Sequence, residues 1–150
     1  MVVYRLSKKI YASDLSGKGA EIAGARWNSK GNAMLYAGQS IALCVAEVAV
    51  HIPLGILPVE YVLVHLEVPD SGILELKKLP MNWNIFPYSK ETQKLGDEFL
   101  RKNKFLGMKV SSAAVHGEFN ILLNPKHPDF EKVKILKIED FSFDKRLFVK

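Results

Sequence analysis

Residues Met34–Val68 read M-L-Y-A-G-Q-S-I-A-L-C-V-A-E-V-A-V-H-I-P-L-G-I-L-P-V-E-Y-V-L-V-H-L-E-V, and three elements can be read from them. Met34–Ala37 is a brief strand. Ser40 is a good N-cap, and the apolar run behind it predicts a helix to about Ile52, ended by Pro53 and Gly55. Tyr61–Val68 is β-branched and bounded by Pro58 and Pro69, which predicts a strand, placed centrally in its sheet. Within the helix, Glu47 and His51 are the only titratable side chains apart from the single thiol, Cys44. Burying a carboxylate without a partner costs several kcal/mol or shifts its pKa. Glu47 is therefore either a face pairing with His51 one turn on or part of a site.

Working outward, Val2–Leu6 predicts a short strand. Residues 8–32, rich in Gly, Ser, Lys and Asn, show no period and read as one long loop, a length that is often functional in a small domain. Ile73–Leu76 is a further strand. Ser89 caps a second helix to about Lys102, with Leu95, Phe99 and Leu100 inside and Gly96 weakening it slightly. Strands follow at Lys109–Ser112, Phe119–Asn124 and Val133–Ile138, with Pro125 and Pro128 punctuating the last turn. Strands grouped around two helices argue for α+β, not a doubly wound α/β fold. Pairing of distant strands is expected to bring the early Arg, Tyr and Glu to the late Ser and Asn.

At 150 residues and 48% hydrophobic the chain fits one domain, residues 1–150. No apolar run is long enough to span a membrane. The start, M-V-V-Y-R-L-S, reads as a strand and not as a signal peptide, and one cysteine excludes an internal disulfide framework. The expectation is a soluble, cytoplasmic protein without membrane contact. The net charge of +5 is uneven: residues 1–75 carry 6 Lys/Arg against 7 Asp/Glu, residues 76–150 carry 15 against 9. A basic half can attract nucleic acid, but these lysines are dispersed, as on a solvated surface.

No dinucleotide fingerprint, phosphate loop, paired-cysteine or zinc-helix motif occurs, and the four histidines lack metal-ligand spacing, so no metal is expected. His65, in an apolar strand, reads as structural, and Cys44 as packing. A Ser112/His116 nucleophile pair lacks an acid and an oxyanion hole. Arg26 beside Trp27 could be a stacked surface cation, and Asn120 and Asn124 turn caps. Taken together, Arg26, Tyr36 and Glu47 suit a polar, partly anionic ligand.

Four segments carry a resemblance: G-A-R-W-N-S-K-G from Gly24, L-Y-A-G-Q-S-I-A-L-C-V-A-E-V-A-V-H from Leu35, V-S-S-A-A-V-H-G-E-F-N-I-L-L-N-P-K-H-P-D-F from Val110, and F-S-F-D-K-R-L from Phe141. In order and spacing they resemble the RES domain, the toxin component of RES–Xre toxin–antitoxin pairs, over essentially the whole chain. The family commonly has Pro before its signature Ser, where this chain has Ser111; Ser112 is the better match for the Ser itself. The resemblance implies a fold similar to ADP-ribosyltransferase toxins, a split β-sheet core with flanking helices. It implies consumption of NAD+ as substrate, with no resident cofactor, by hydrolysis or phosphorolysis of the nicotinamide–ribose bond or by transfer of ADP-ribose to a protein. The partner it implies is an Xre-type helix-turn-helix antitoxin in an oligomeric complex. On the resemblance, Arg26, Tyr36, Glu47 and Ser112 fall on functional positions, and Arg5 and the Asn120/Asn124 segment match supporting motifs; Glu47, Arg26 and Tyr36 are expected to be catalytic, and Ser112, Arg5, Asn28 and Asn120 to bind substrate. Glu47 would serve the ribose, Arg26 a phosphate, Tyr36 the nicotinamide ring, and Ser112 the nicotinamide–ribose end. The rivals are a mono-ADP-ribosyltransferase, a nucleic-acid-binding protein or ribonuclease, and a non-catalytic module in which Glu47 merely pairs with Arg26.

Overall fold

A computed structural model describes residues 1–150. Seven strands form one mixed sheet in the order β4-β5-β6-β2-β1-β3-β7. They are β1 (Val2–Lys8), β2 (Leu35–Gly38), β3 (Tyr61–Glu67), β4 (Ile73–Glu75), β5 (Gly107–Ser111), β6 (Phe119–Leu123) and β7 (Lys134–Phe141). Only β4 and β5 pair in parallel. Parallel neighbours need a long crossover, and the chain supplies it with residues 76–106, which include a helix. The helices are α1 (Lys18–Ala23), α2 (Ile41–His51) and α3 (Lys90–Lys102).

The sheet is two ladders joined at a seam. β1 and β3 pair over seven residues, and β2 and β6 over four, but β1 meets β2 through the single pairing Tyr4↔Gly38. The two halves are thus continuous yet held by one rung. α2 lies against this seam. Its Cys44 thiol donates to the Tyr4 carbonyl at 3.2 Å, and a Cβ on Gly38 would sit 2.8 Å from Cys44 Sγ. Glycine at position 38 is what lets the helix come so close. Ser40 caps α2 as expected, its Oγ accepting from Leu43 N at 3.1 Å.

Strand alternation divides the core. On one face Val3, Leu35, Val64, Leu66 and Leu123 pack together, with Leu15 and Phe130 against them. On the other, Met34, Met108, Val110 and Leu122 pack against Trp27 and against Phe99 of α3. Tyr61, Phe143 and Phe148 close the far side with edge-to-face contacts.

Several expectations change. Residues 8–32 are not a featureless loop: they hold a 3-10 turn at Lys9–Tyr11, the short helix α1 and a bridge between Ala25 and Asn28. Their order comes from side-chain bonds and not from a period: the Asn28 amide donates to the carbonyls of Ala20 and Asn32 at 2.8 and 3.0 Å, and Asp97 of α3 holds Ser29. The strand at Tyr61 is interior but next to the edge; the middle strand is β2. The last strand runs on to Phe141, because Tyr61–Leu63 offer it partners as far as that residue. Gly96 does more than weaken α3. A Cβ there would lie 1.5 Å from the Trp27 carbonyl oxygen, so this glycine is the notch through which the Arg26–Asn28 segment crosses the helix.

Candidate active site

Glu47 sits mid-helix in α2, half-buried, above the seam end of β5 and β6. Asn120 is paired to Gly38, and Gly38 to Tyr4, so this row of the sheet crosses the seam under the helix. Two donors reach one carboxylate oxygen: Ser112 Oγ at 2.9 Å and Asn120 Nδ2 at 2.8 Å, both to Oε1. The other oxygen, Oε2, accepts from no protein donor. The carboxylate is therefore fixed at one corner and open at the other. Ser112 is 5% exposed, and its Oγ also accepts from the amides of Ala114 and Val115 at 3.0 and 3.1 Å. The turn after β5 thus fixes the serine, and the serine fixes Glu47. Ser111 pairs with Phe119 at the strand end; Ser112 is the one that faces the carboxylate.

Arg26 is held quite differently. Its Nη1 donates to the carbonyls of Trp83 and Ile85 at 2.9 and 2.7 Å, and its guanidinium lies 5.0 Å from the centre of the Tyr88 ring. Nε and Nη2 donate to no protein acceptor, leaving one edge of the planar fork for an anion. No ion pair joins Arg26 to Glu47, so the carboxylate is not that cation's counter-ion.

Tyr36, on β2, points to the same sheet face as Asn120. Its hydroxyl accepts from Trp27 N at 3.2 Å and donates to Asn28 Oδ1 at 2.7 Å. Burial pushes its pKa well above the usual tyrosine range, while the Trp27 amide and, more weakly, the Arg26 guanidinium pull the other way. It is a neutral phenol. Asn28 is 0% exposed and its side chain is fully occupied, so it organises the loop from within and lines no open surface.

Arg5 is not part of this group. Alternation along β1 puts it with Val3 and Ser7, on the face opposite Tyr4, where its Nη1 donates to the Asp14 carbonyl at 3.0 Å. Burial lowers its pKa and the Asp14 charge partly restores it. The structure thus gathers Glu47, Ser112 and Asn120 into one cradle and Arg26, Tyr36 and Asn28 into a second, and leaves Arg5 on the other face.

Other readings change. His51 does not pair with the Glu47 carboxylate; its Nδ1 meets the Glu47 backbone carbonyl at 2.6 Å and its Nε2 the Tyr88 hydroxyl at 3.1 Å. His116 is exposed and makes no bond to Ser112, whose proton goes to Glu47, so no nucleophile pair forms. His65 is structural as expected, 2.7 Å from Glu139 Oε2 and edge-on to Tyr4. Burial pushes the Cys44 thiol up to about 12. Tyr88, the carbonyls beneath Arg26, and Asp97, which holds Ser29 by its amide and hydroxyl, were not singled out from the sequence. Nothing local marks them, since their partners lie in distant segments.

The cradle of Glu47, Ser112 and Asn120 is built from the segments that carried the resemblance, and comparison with known proteins agrees. The RES domain model matches residues 2–144. This chain belongs to the RES domain family. A Yersinia enterocolitica protein named Toxin Res is 38% identical over 151 residues, covering 98% of this chain and 99% of its own. A Sphingobium protein named Prs ADP-ribosylating toxin is 36% identical over 144 residues, covering 93% and 89%. Among solved structures, a chain of the M. tuberculosis MbcT–MbcA toxin–antitoxin complex superposes with a TM-score of 0.75 over 94% of this chain and 84% of that one, at 19% identity. That likeness establishes a shared α+β fold with a mixed sheet and flanking helices.

Proposed function

We propose that this RES domain is the toxin of a toxin–antitoxin pair and acts on NAD+, breaking the bond between nicotinamide and ribose. The observation that carries the reading is the Glu47 carboxylate, with Oε1 tied by Ser112 and Asn120 and Oε2 open, linked through His51 and Tyr88 to a cation whose fork is half free. When the bond breaks, its electron pair passes to the pyridinium nitrogen, which becomes neutral, and positive charge develops on the ribosyl carbon and ring oxygen. Nicotinamide leaves without needing a proton. Glu47 Oε2 accepts a ribose hydroxyl and offsets the developing charge; a group aimed in this way contributes on the order of 3–4 kcal/mol in an excluded site. The free edge of Arg26 takes a phosphate oxygen pair.

The geometry revises three roles. Ser112 has its only hydroxyl proton on Glu47, so it positions the carboxylate rather than the nicotinamide. Tyr36 has its hydroxyl committed to Asn28, which leaves the ring as its contribution. Asn28 acts through Tyr36 and the loop, without touching substrate.

The acceptor separates two forms of this reading. Water or phosphate would give ADP-ribose or its 1″-phosphate; a protein side chain would retain the label. The Sphingobium relative's name favours transfer to a protein, and the cradle serves both. An Xre-type antitoxin is the proposed partner, and the cytoplasm, where NAD+ is available, the proposed location. Purified protein given NAD+ labelled in the adenylate half, with and without phosphate and with cell extract, tests the reaction and its acceptor. Nicotinamide release supports the reaction, and the fate of the label names the acceptor. A folded protein that releases no nicotinamide under any of these conditions refutes it.

A further inference from the structure

Tyr88 and His51 form a link that the proposed reaction, as set out above, does not use. His51 Nδ1 lies 2.6 Å from the Glu47 backbone carbonyl. A carbonyl only accepts, so Nδ1 carries a hydrogen. In the neutral ring Nε2 is then a bare acceptor, and the Tyr88 hydroxyl 3.1 Å away must donate to it. The direction of both bonds is thus set by chemistry: carbonyl, imidazole, phenol, in series. The far side of the phenol is the ring under Arg26, 5.0 Å from the guanidinium carbon. One chain of contacts runs from the backbone of the carboxylate-bearing turn to the plane of the cation.

We propose that Tyr88 is a positioning residue for Arg26, that its ring supports the guanidinium so that Nε and Nη2 face an anionic oxygen pair, and that His51 holds the ring in place from α2. The ligand class is a phosphate-bearing nucleotide. The inference rests on the NAD+ reading for its chemistry but not for its geometry. Three observations support it. Nη1 donates to two carbonyls, which commits both its hydrogens and holds the guanidinium from one end, while the Tyr88 ring lies 5.0 Å under its central carbon and supports it from a second direction. Tyr88 immediately precedes Ser89, the N-cap of α3, whose Oγ accepts from Glu91 N, so its backbone is anchored to a rigid element. Phe86, two residues before it, packs edge-on against the Tyr88 ring with 5.3 Å between ring centres and braces the ring itself.

The test is a set of variants in the full chain, read by equilibrium binding of ADP-ribose and by steady-state turnover of NAD+. Tyr88→Leu removes ring support and is expected to weaken ADP-ribose binding about tenfold, with a matching rise in KM and kcat within about twofold. Tyr88→Phe keeps the ring and loses the tether, and His51→Leu loses the tether from the other end. Each is expected to weaken binding about threefold, the size of one partly exposed hydrogen bond. Because they share that bond, the double variant should lose no more than either alone. A Tyr88→Leu protein that binds like the parent overturns the proposal. So does a fall in kcat with KM unchanged, which is the mark of a different role, and additive losses overturn the tether. A parent that binds ADP-ribose but leaves NAD+ intact removes the reaction, and binding alone then decides the Tyr88 question. A parent that binds no ADP-ribose removes both.

Discussion

Glu47 and Arg26 are held by opposite strategies. The carboxylate is fixed by side chains from the ends of two paired strands, on a helix locked to the seam by Gly38 and Cys44. The guanidinium is fixed by backbone carbonyls of an irregular segment and by a ring from the same segment. The first arrangement allows little adjustment, because strand register and helix packing would have to move together. The second rests on a segment outside the strand ladders. In the proposed reaction, a carboxylate that meets charge developing at one carbon suits the first mount, and a cation that takes a pyrophosphate suits the second.

The sharpest way to break this contrast is Glu47→Gln. The amide oxygen still accepts from Ser112 and Asn120, so the fold should survive. Turnover should fall by a factor of about a hundred to a thousand, and turnover equal to the parent would sink the assignment. Gly96→Ala attacks the Arg26 side from beneath. With the Trp27 carbonyl 1.5 Å from the new Cβ, α3 or the loop must move, at a cost of about 3 kcal/mol or more, visible as a lowered melting temperature. An unchanged melting temperature would mean that the helix and loop are not packed as described. Arg26→Lys supplies a charge without a planar fork and should raise KM for NAD+ about tenfold with less effect on kcat. Asn120→Ala removes one of two bonds to Oε1 and should lower kcat about tenfold while leaving KM alone; a KM effect instead would blur the two mounts.

The smallest expected effect concerns Cys44. Its pKa is raised by burial from 9.0 to about 12. The unfolded thiol ionises first as pH rises, so its contribution is complete below about pH 9 and is lost between there and about pH 12. Alkylation at pH 8 should be slow in the folded protein and fast in denaturant.

The mount of Glu47 could be read from the sequence and that of Arg26 could not. Ser40 as a cap, the apolar run around Glu47, and the strands at Tyr61 and Phe119 are local signals, and each element formed within a few residues of expectation. Glu47 drew attention because a charge interrupts that run. Residues 8–32 looked unstructured because their order comes from the buried amide of Asn28 and from Asp97 on α3, partners no local pattern indicates. Gly96 looked like a weak helix position because a close approach by another segment leaves no trace in the helix's own sequence. Arg5 stood out because it matches a family motif, but alternation along β1 puts it on the other face. His51 was recognised as titratable, yet its ring turns to a backbone carbonyl and to a tyrosine far along the chain.

The crossover between β4 and β5 has one more consequence. An antiparallel hairpin binds the length of its connection to the register of its strands; a parallel return does not. Beyond Leu76, whose amide still donates to the Lys109 carbonyl of β5 at 2.9 Å, the length of the connection up to Ser89 is not tied to strand register. The pedestal under Arg26 lies in that stretch. Glu47 and its partners thus sit where strand register and helix packing meet, and the carbonyls and ring around Arg26 on a connection whose length the sheet's register does not set.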